Sequence, residues 1–136
     1  SEDAVDVARA NARATGLDVT VFHGNLFEPL PANLAGKVDL VVSNPPYVAE
    51  HELDDLPADV RENEPIAALI AGPVGDEVLA RIAAEASEWL SPDGIIACEI
   101  SEFLGPVIAE HFAPLAGEIR IDLSGKERFV IGVAAR

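Results

Sequence analysis

Basic residues are scarce in this chain. Nine lysines and arginines stand against 24 aspartates and glutamates, giving a formal net charge of −15 at pH 7. A nucleic-acid binder normally carries a basic face to neutralise phosphates. The balance therefore argues against direct nucleic-acid binding, unless a basic companion domain reverses the sign. Cysteine is nearly absent: Cys98 stands alone in the apolar run Ile95–Ile100 and reads as a reduced core residue. No apolar run approaches the roughly 20 residues that cross a bilayer, and the N-terminus has no signal-peptide pattern. The three histidines, His23, His51 and His111, lack metal-ligand spacing, so no metal site is expected. These absences imply a cytoplasmic protein without membrane association. There is no internal repeat and no low-complexity tract.

What is present is the composition of a globular domain: 136 residues, 49% hydrophobic and 24% charged, read as one domain. The most informative stretch is Ser43-Asn44-Pro45-Pro46-Tyr47. It follows Val38–Val42, an apolar run that reads as a buried parallel strand. Two successive prolines have no N–H to donate and cannot continue a sheet ladder. The chain must leave the strand's carboxyl end as a stiff loop, the end at which open α/β sheets bind ligands. The amide oxygen of Asn44 and the carbonyl of Pro45 can each accept one N–H of an amino group. The nitrogen lone pair then points away from both, and Tyr47 can pack over a planar substrate. Pro-Pro after a strand is also ordinary loop punctuation.

Along the rest of the chain, Ser1–Gly16 reads as a helix capped by Ser1, with Glu2 and Asp3 at its positive end and Gly16 closing it. Val5, Ala8 and Ala12 would face a sheet. Val19–His23 alternates as a short strand, followed by Gly24-Asn25-Leu26-Phe27-Glu28 and a loop at Pro29 and Pro31. Glu50–Glu64 is acidic and proline-interrupted, with Arg61 its only fixed positive charge; it is a solvated face or a substrate-facing flap. Arg61 would clamp a backbone carbonyl or pair with Glu64. A helix over Asp76–Leu90 has the apolar stripe Val78, Leu79, Ile82, Ala83, Ala86, Trp89 and Leu90. Ser91–Gly94 reads as a turn, Ile95–Ile100 as a buried strand ending at Glu99, and Ser101–Ala113 as a helix. Glu118–Leu123 and Arg128–Ala135 form an antiparallel hairpin.

Asn-Pro-Pro-Tyr after an apolar strand resembles the motif of amino-group methyltransferases that use S-adenosylmethionine. Asp59-Val60-Arg61-Glu62-Asn63-Glu64-Pro65 with Ala68-Leu69 is similar to the HemK/PrmC family, the release-factor glutamine-N5 methyltransferases. Leu90–Gly94 through Glu99-Ile100, and Asp122–Arg128, resemble the same family, so the likeness covers nearly all of the chain. It implies an α/β fold, a Rossmann-like class I methyltransferase sheet with a C-terminal antiparallel hairpin. Residues 1–136 would form part of that catalytic domain. It further implies S-adenosylmethionine as cofactor and a peptide chain release factor as protein substrate. Asn44 and Pro45 would be catalytic, Pro46 and Tyr47 would join them in binding substrate, and Asn25, Leu26 and Asn44 would contact the cofactor.

The chain also departs from that family. A glycine-rich turn that cradles the cofactor's methionine end is expected, yet none of the 10 glycines stand as Gly-x-Gly. The acid that accepts from the adenine amino group is replaced by Asn25, whose oxygen accepts without charge assistance; a plain polar turn is the other reading. Ser101-Glu102-Phe103 stand where glycine and glutamine are usual. The sheet would lack its first two strands, leaving the Val19 and Val38 strands with open edges and a tendency to homodimerise. The alternatives to glutamine methylation are a catalytically inactive lobe that only binds, and an amino methyltransferase acting on nucleic acid.

Overall fold

The computed structural model describes residues 1–135. They form two compact units, residues 1–33 and residues from Leu34 onward. In chain order the elements are α1 (Glu2–Thr15), β1 (Val38–Ser43), β2 (Val48–Ala49), α2 (Ala58–Asn63), α3 (Ile66–Leu69), β3 (Ile70–Gly72) and α4 (Glu77–Trp89). There follow β4 (Leu90–Glu99), α5 (Gly105–His111), β5 (Glu118–Ile121) and β6 (Glu127–Val133). Among the described residues no helix is long and apolar enough to cross a membrane.

In the first unit α1 forms as its caps dictate. The Ser1 hydroxyl accepts from the Ala4 N–H at 3.3 Å, and Gly16 takes the left-handed conformation at φ 65°. The helix buries no side chain: Val5 and Ala12 are half-buried and Ala8 is exposed, so the expected sheet-facing stripe is only partly covered. The strand expected at Val19–His23 is not formed. A strand exists only through a ladder partner, and this segment instead turns locally, with the Val19 N–H donating to the Leu17 carbonyl at 3.0 Å.

The second unit is built on a four-stranded sheet of order β1-β4-β6-β5. β1 runs parallel to β4, while β4–β6 and β6–β5 are antiparallel. The expected C-terminal hairpin is thus present, as β5 and β6. β1 is an edge strand rather than a buried one, with Leu40 58% and Val42 72% exposed. Alternate residues of a strand face opposite sides, and α4 and α5 pack against the other side of this sheet. There Leu79, Ile82 and Ala86 of α4, with Ile108, Phe112 and Leu115, close over Ile96, Cys98 and Val130. Burial pushes the Cys98 thiol up to about 12, so it stays protonated in this core. Trp89 is only half-buried.

Three features differ from expectation. Ser91–Gly94 is not a separate turn but a bulge inside β4: the register jumps from Val38↔Leu90 to Leu40↔Ile95. Asp93 takes φ 64°, and a Cβ on Gly94 would lie 2.9 Å from the Val38 carbonyl, so only glycine lets the strands close there. α5 begins at Gly105 rather than Ser101, because Pro106 suits a first turn and the preceding residues form a turn from the Ser101 carbonyl to the Leu104 N–H. The small parallel pair Val48–Ala49 with Ile70–Gly72 was not foreseen. His111 closes the far end of the helical layer on Asp76 at 2.9 Å, tying α5 to the start of α4.

Candidate active site

β1 ends at Ser43, paired with Cys98, and the next residues leave the ladder as two prolines. Pro45 is buried, Pro46 and Tyr47 are half-buried, and Asn44 is exposed. Among the described residues neither the Asn44 side-chain amide nor the Pro45 carbonyl has a hydrogen-bond partner. Both are free acceptors on a stiff corner at the carboxyl end of a parallel strand.

The corner lines a cleft of about 520 Å³, which Asn44, Pro45, Pro46 and Tyr47 share with Leu56, Val60, Glu64 and Leu69. The facing wall comes from the acidic segment, folded as a 3-10 turn over Glu50–Asp55 followed by α2 and α3. Most of this segment is exposed, as a solvated face would be, and Leu56, Val60 and Glu64 also border the cleft. The Arg61 guanidinium donates to the Asp54 carbonyl at 3.0 Å, bracing that wall rather than pairing with Glu64.

A hydrogen bond holds Tyr47. Its hydroxyl donates to Glu99 Oε1 at 3.0 Å. Burial and the Glu99 carboxylate both push the phenol above its usual range, against a smaller opposing pull from Arg128. Behind it lies Gly75, at φ +98°, where a Cβ would stand 3.0 Å from the Tyr47 carbonyl and 3.1 Å from the Ala49 N–H. The Glu77 carboxylate accepts from the Val74 and Gly75 N–H groups at 2.7 and 2.8 Å, locking that loop. Burial works against its ionisation, but these backbone donors outweigh it and lower its pKa.

Asn25 and Leu26 lie in a turn of the first unit. The Asn25 amide NH2 donates to Glu28 Oε1 at 3.1 Å, which leaves its oxygen as an acceptor. Leu26 is half-buried at φ 49°, a left-handed conformation unusual for leucine, and Gly24 packs where a Cβ would strike the Pro29 ring. Sequence reasoning placed the four corner residues together, and they line one cleft. It missed Glu99 as the partner of Tyr47, for which the only signal was an acid at the end of an apolar strand. It also missed the apolar wall of Leu56, Val60 and Leu69.

Residues 1–60 match the family model described as "Methyltransferase small domain". A release factor glutamine methyltransferase of Bacillus cereus is 34% identical over 134 residues, covering 96% of this chain and 47% of that protein. A ribosomal protein uL3 glutamine methyltransferase of Burkholderia pseudomallei is 40% identical over 106 residues, 74% of this chain and 34% of that protein. The chain belongs to the HemK/PrmC glutamine methyltransferase family. It spans about half the length of the curated relatives it matches. A crystal structure of a methyltransferase from Pyrococcus furiosus shares the fold, with a TM-score of 0.65 at 19% identity over 100% of this chain and 60% of that one. In HemK/PrmC terms, the mixed α/β sheet with its terminal antiparallel hairpin matches a Rossmann-like class I methyltransferase fold.

Proposed function

We propose that this chain carries the amide-presenting part of an S-adenosylmethionine-dependent enzyme that methylates the N5 nitrogen of a glutamine in a peptide chain release factor. The observation that carries the reading is the pair of unengaged acceptors, Asn44 and Pro45, at the mouth of the cleft. An amide nitrogen is a poor nucleophile because its lone pair is delocalised into the carbonyl. The Asn44 oxygen and the Pro45 carbonyl would each take one N–H of the glutamine NH2 and turn the remaining lone pair outward. Positioning of this kind supplies roughly 7–11 kcal/mol of a barrier. The same two oxygens would stabilise positive charge growing on nitrogen. No base is required before attack, and the proton leaves afterwards. Tyr47 and Pro46 would flank the amide plane.

The cofactor supplies an electrophilic methyl group on a sulfonium. The proposed cofactor contacts are Asn25, whose amide oxygen is free, and Leu26 with its apolar side chain in the first unit, and Asn44 in the second. No Gly-x-Gly turn is present for the methionine end. A second reading is a lobe that only binds a partner. The proposed substrate follows the named relatives, one acting on release factor and one on ribosomal protein uL3, and both substrates imply work in the cytoplasm. The test is to incubate the chain with S-adenosylmethionine and each substrate and to map methylated glutamine by mass spectrometry. Methyl transfer to release factor supports the proposal. Transfer only to uL3 would move the substrate, and no cofactor binding by calorimetry would favour the binding lobe.

A further inference from the structure

We infer that Glu99 is a positioning residue: by holding the Tyr47 hydroxyl it fixes that ring as a partition between two clefts and keeps the Asn44–Pro45 corner against the end of β4. The inference rests on the amide-presenting role proposed for that corner. Glu99 lies 52 positions from Tyr47 in sequence, yet the two side chains meet at 3.0 Å. The register explains the meeting. Ser43 pairs with Cys98, so the last residue of β4 stands beside the point where β1 gives way to the corner. The corner is therefore pinned at both ends, by the β1–β4 ladder before Asn44 and by the Glu99 bond at Tyr47. The two prolines between them transmit the constraint stiffly.

Tyr47 borders the 520 Å³ cleft containing Asn44 on one side. On the other it borders a second cleft of about 230 Å³ lined by Glu52, Asp55, Ser101 and Phe103. Val48 and Leu56 border both clefts, so a freed Tyr47 ring would join them. A target amide would then lose its flat wall, and the acceptor pair would lose the support behind it. A phenol donating to a carboxylate is a strong bond of its type. Glu99 does not act as a base in this scheme, because a phenol held protonated passes no proton on.

Tyr47 is the only tyrosine in the chain, so phenolate absorbance during alkaline titration reports on it alone. The experiment compares the wild-type chain with Glu99→Ala and Glu99→Gln, the latter keeping a neutral acceptor. In Glu99→Ala the phenol titrates at lower pH, and backbone amide resonances of residues 44 to 48 shift in NMR spectra. Turnover falls roughly ten- to hundredfold, as for a misplaced reacting group, with cofactor affinity within about twofold of wild type and most turnover regained in Glu99→Gln. An unchanged titration curve in Glu99→Ala overturns the inference, as does a lowered melting temperature with unchanged turnover per folded molecule. Should Glu99→Ala not fold, Tyr47→Phe breaks the same bond and must give the same resonance shifts and turnover loss. If the wild-type chain transfers no methyl, the proposed function fails, while titration and resonances still decide whether Glu99 positions the corner.

Discussion

Replacing Asn44 by alanine separates catalysis from stability. The side chain is exposed and makes no hydrogen bond to the protein, so its loss breaks nothing in the fold. A surface change of this sort alters stability by no more than about 0.5 kcal/mol. Pro45 behind it is buried and stays in place, so the corner keeps its shape. What disappears is one of two preorganised acceptors for the incoming amide. Removing one such group elsewhere costs about 2.7–4 kcal/mol of transition-state stabilisation, or roughly 10²–10³ in turnover. Asn44→Ala is accordingly expected to melt like wild type and to lose turnover by that factor, measured by transfer of labelled methyl to release factor. Cofactor affinity should change less. Equal turnover in the two proteins would refute the role of Asn44, and a large drop in melting temperature would show that the side chain serves the fold instead.

Gly75→Ala forces an L side chain to φ +98° and drives its Cβ to 3.0 Å from the Tyr47 carbonyl. It should destabilise by about 2 kcal/mol in denaturant melts and lower turnover by shifting the corner; a neutral result would mean that the Gly75 loop yields freely. Asp122 accepts from Ser124 and Lys126 in the hairpin loop, and its pKa is lowered from 3.8 to about 2, led by the Ser124 hydroxyl. Its stabilisation is complete above pH 3.8 and is lost as pH falls through about 2. The gap in melting temperature between wild type and Asp122→Asn should therefore close over that window; a gap independent of pH would contradict it. The open edge of β1, with Leu40 and Val42 exposed, should pair with a second copy in sedimentation at high concentration, and Val42→Lys should weaken that pairing. A clean monomer with a single cooperative melt would remove that expectation.

Local signals in the sequence were read correctly where one segment decides its own structure. Ser1 and Gly16 bound α1, the apolar stripe of Leu79, Ile82, Ala83 and Ala86 gives α4, and the alternation around Ser124–Gly125 gives the hairpin. Departures arose where a partner decides. Val19–His23 has the alternation of a strand but no ladder partner among the described residues, and β1 is apolar yet leaves Leu40 and Val42 exposed. Ser91–Gly94 has the composition of a turn but is absorbed into β4, because Gly94 admits the Val38 carbonyl.

The order of residues alone settled that a proline-stiffened corner follows a parallel strand, since two missing N–H groups end a ladder whatever surrounds them. It also settled that this corner offers an amide oxygen, a carbonyl and a ring. Only the folded chain decided what those groups face. Glu99 reaches Tyr47 through the β1–β4 register, and the wall of Leu56, Val60 and Leu69 reaches the corner through the β2–β3 pairing. Pairings between distant segments depend on the whole sheet closing at once, and no window of sequence contains them.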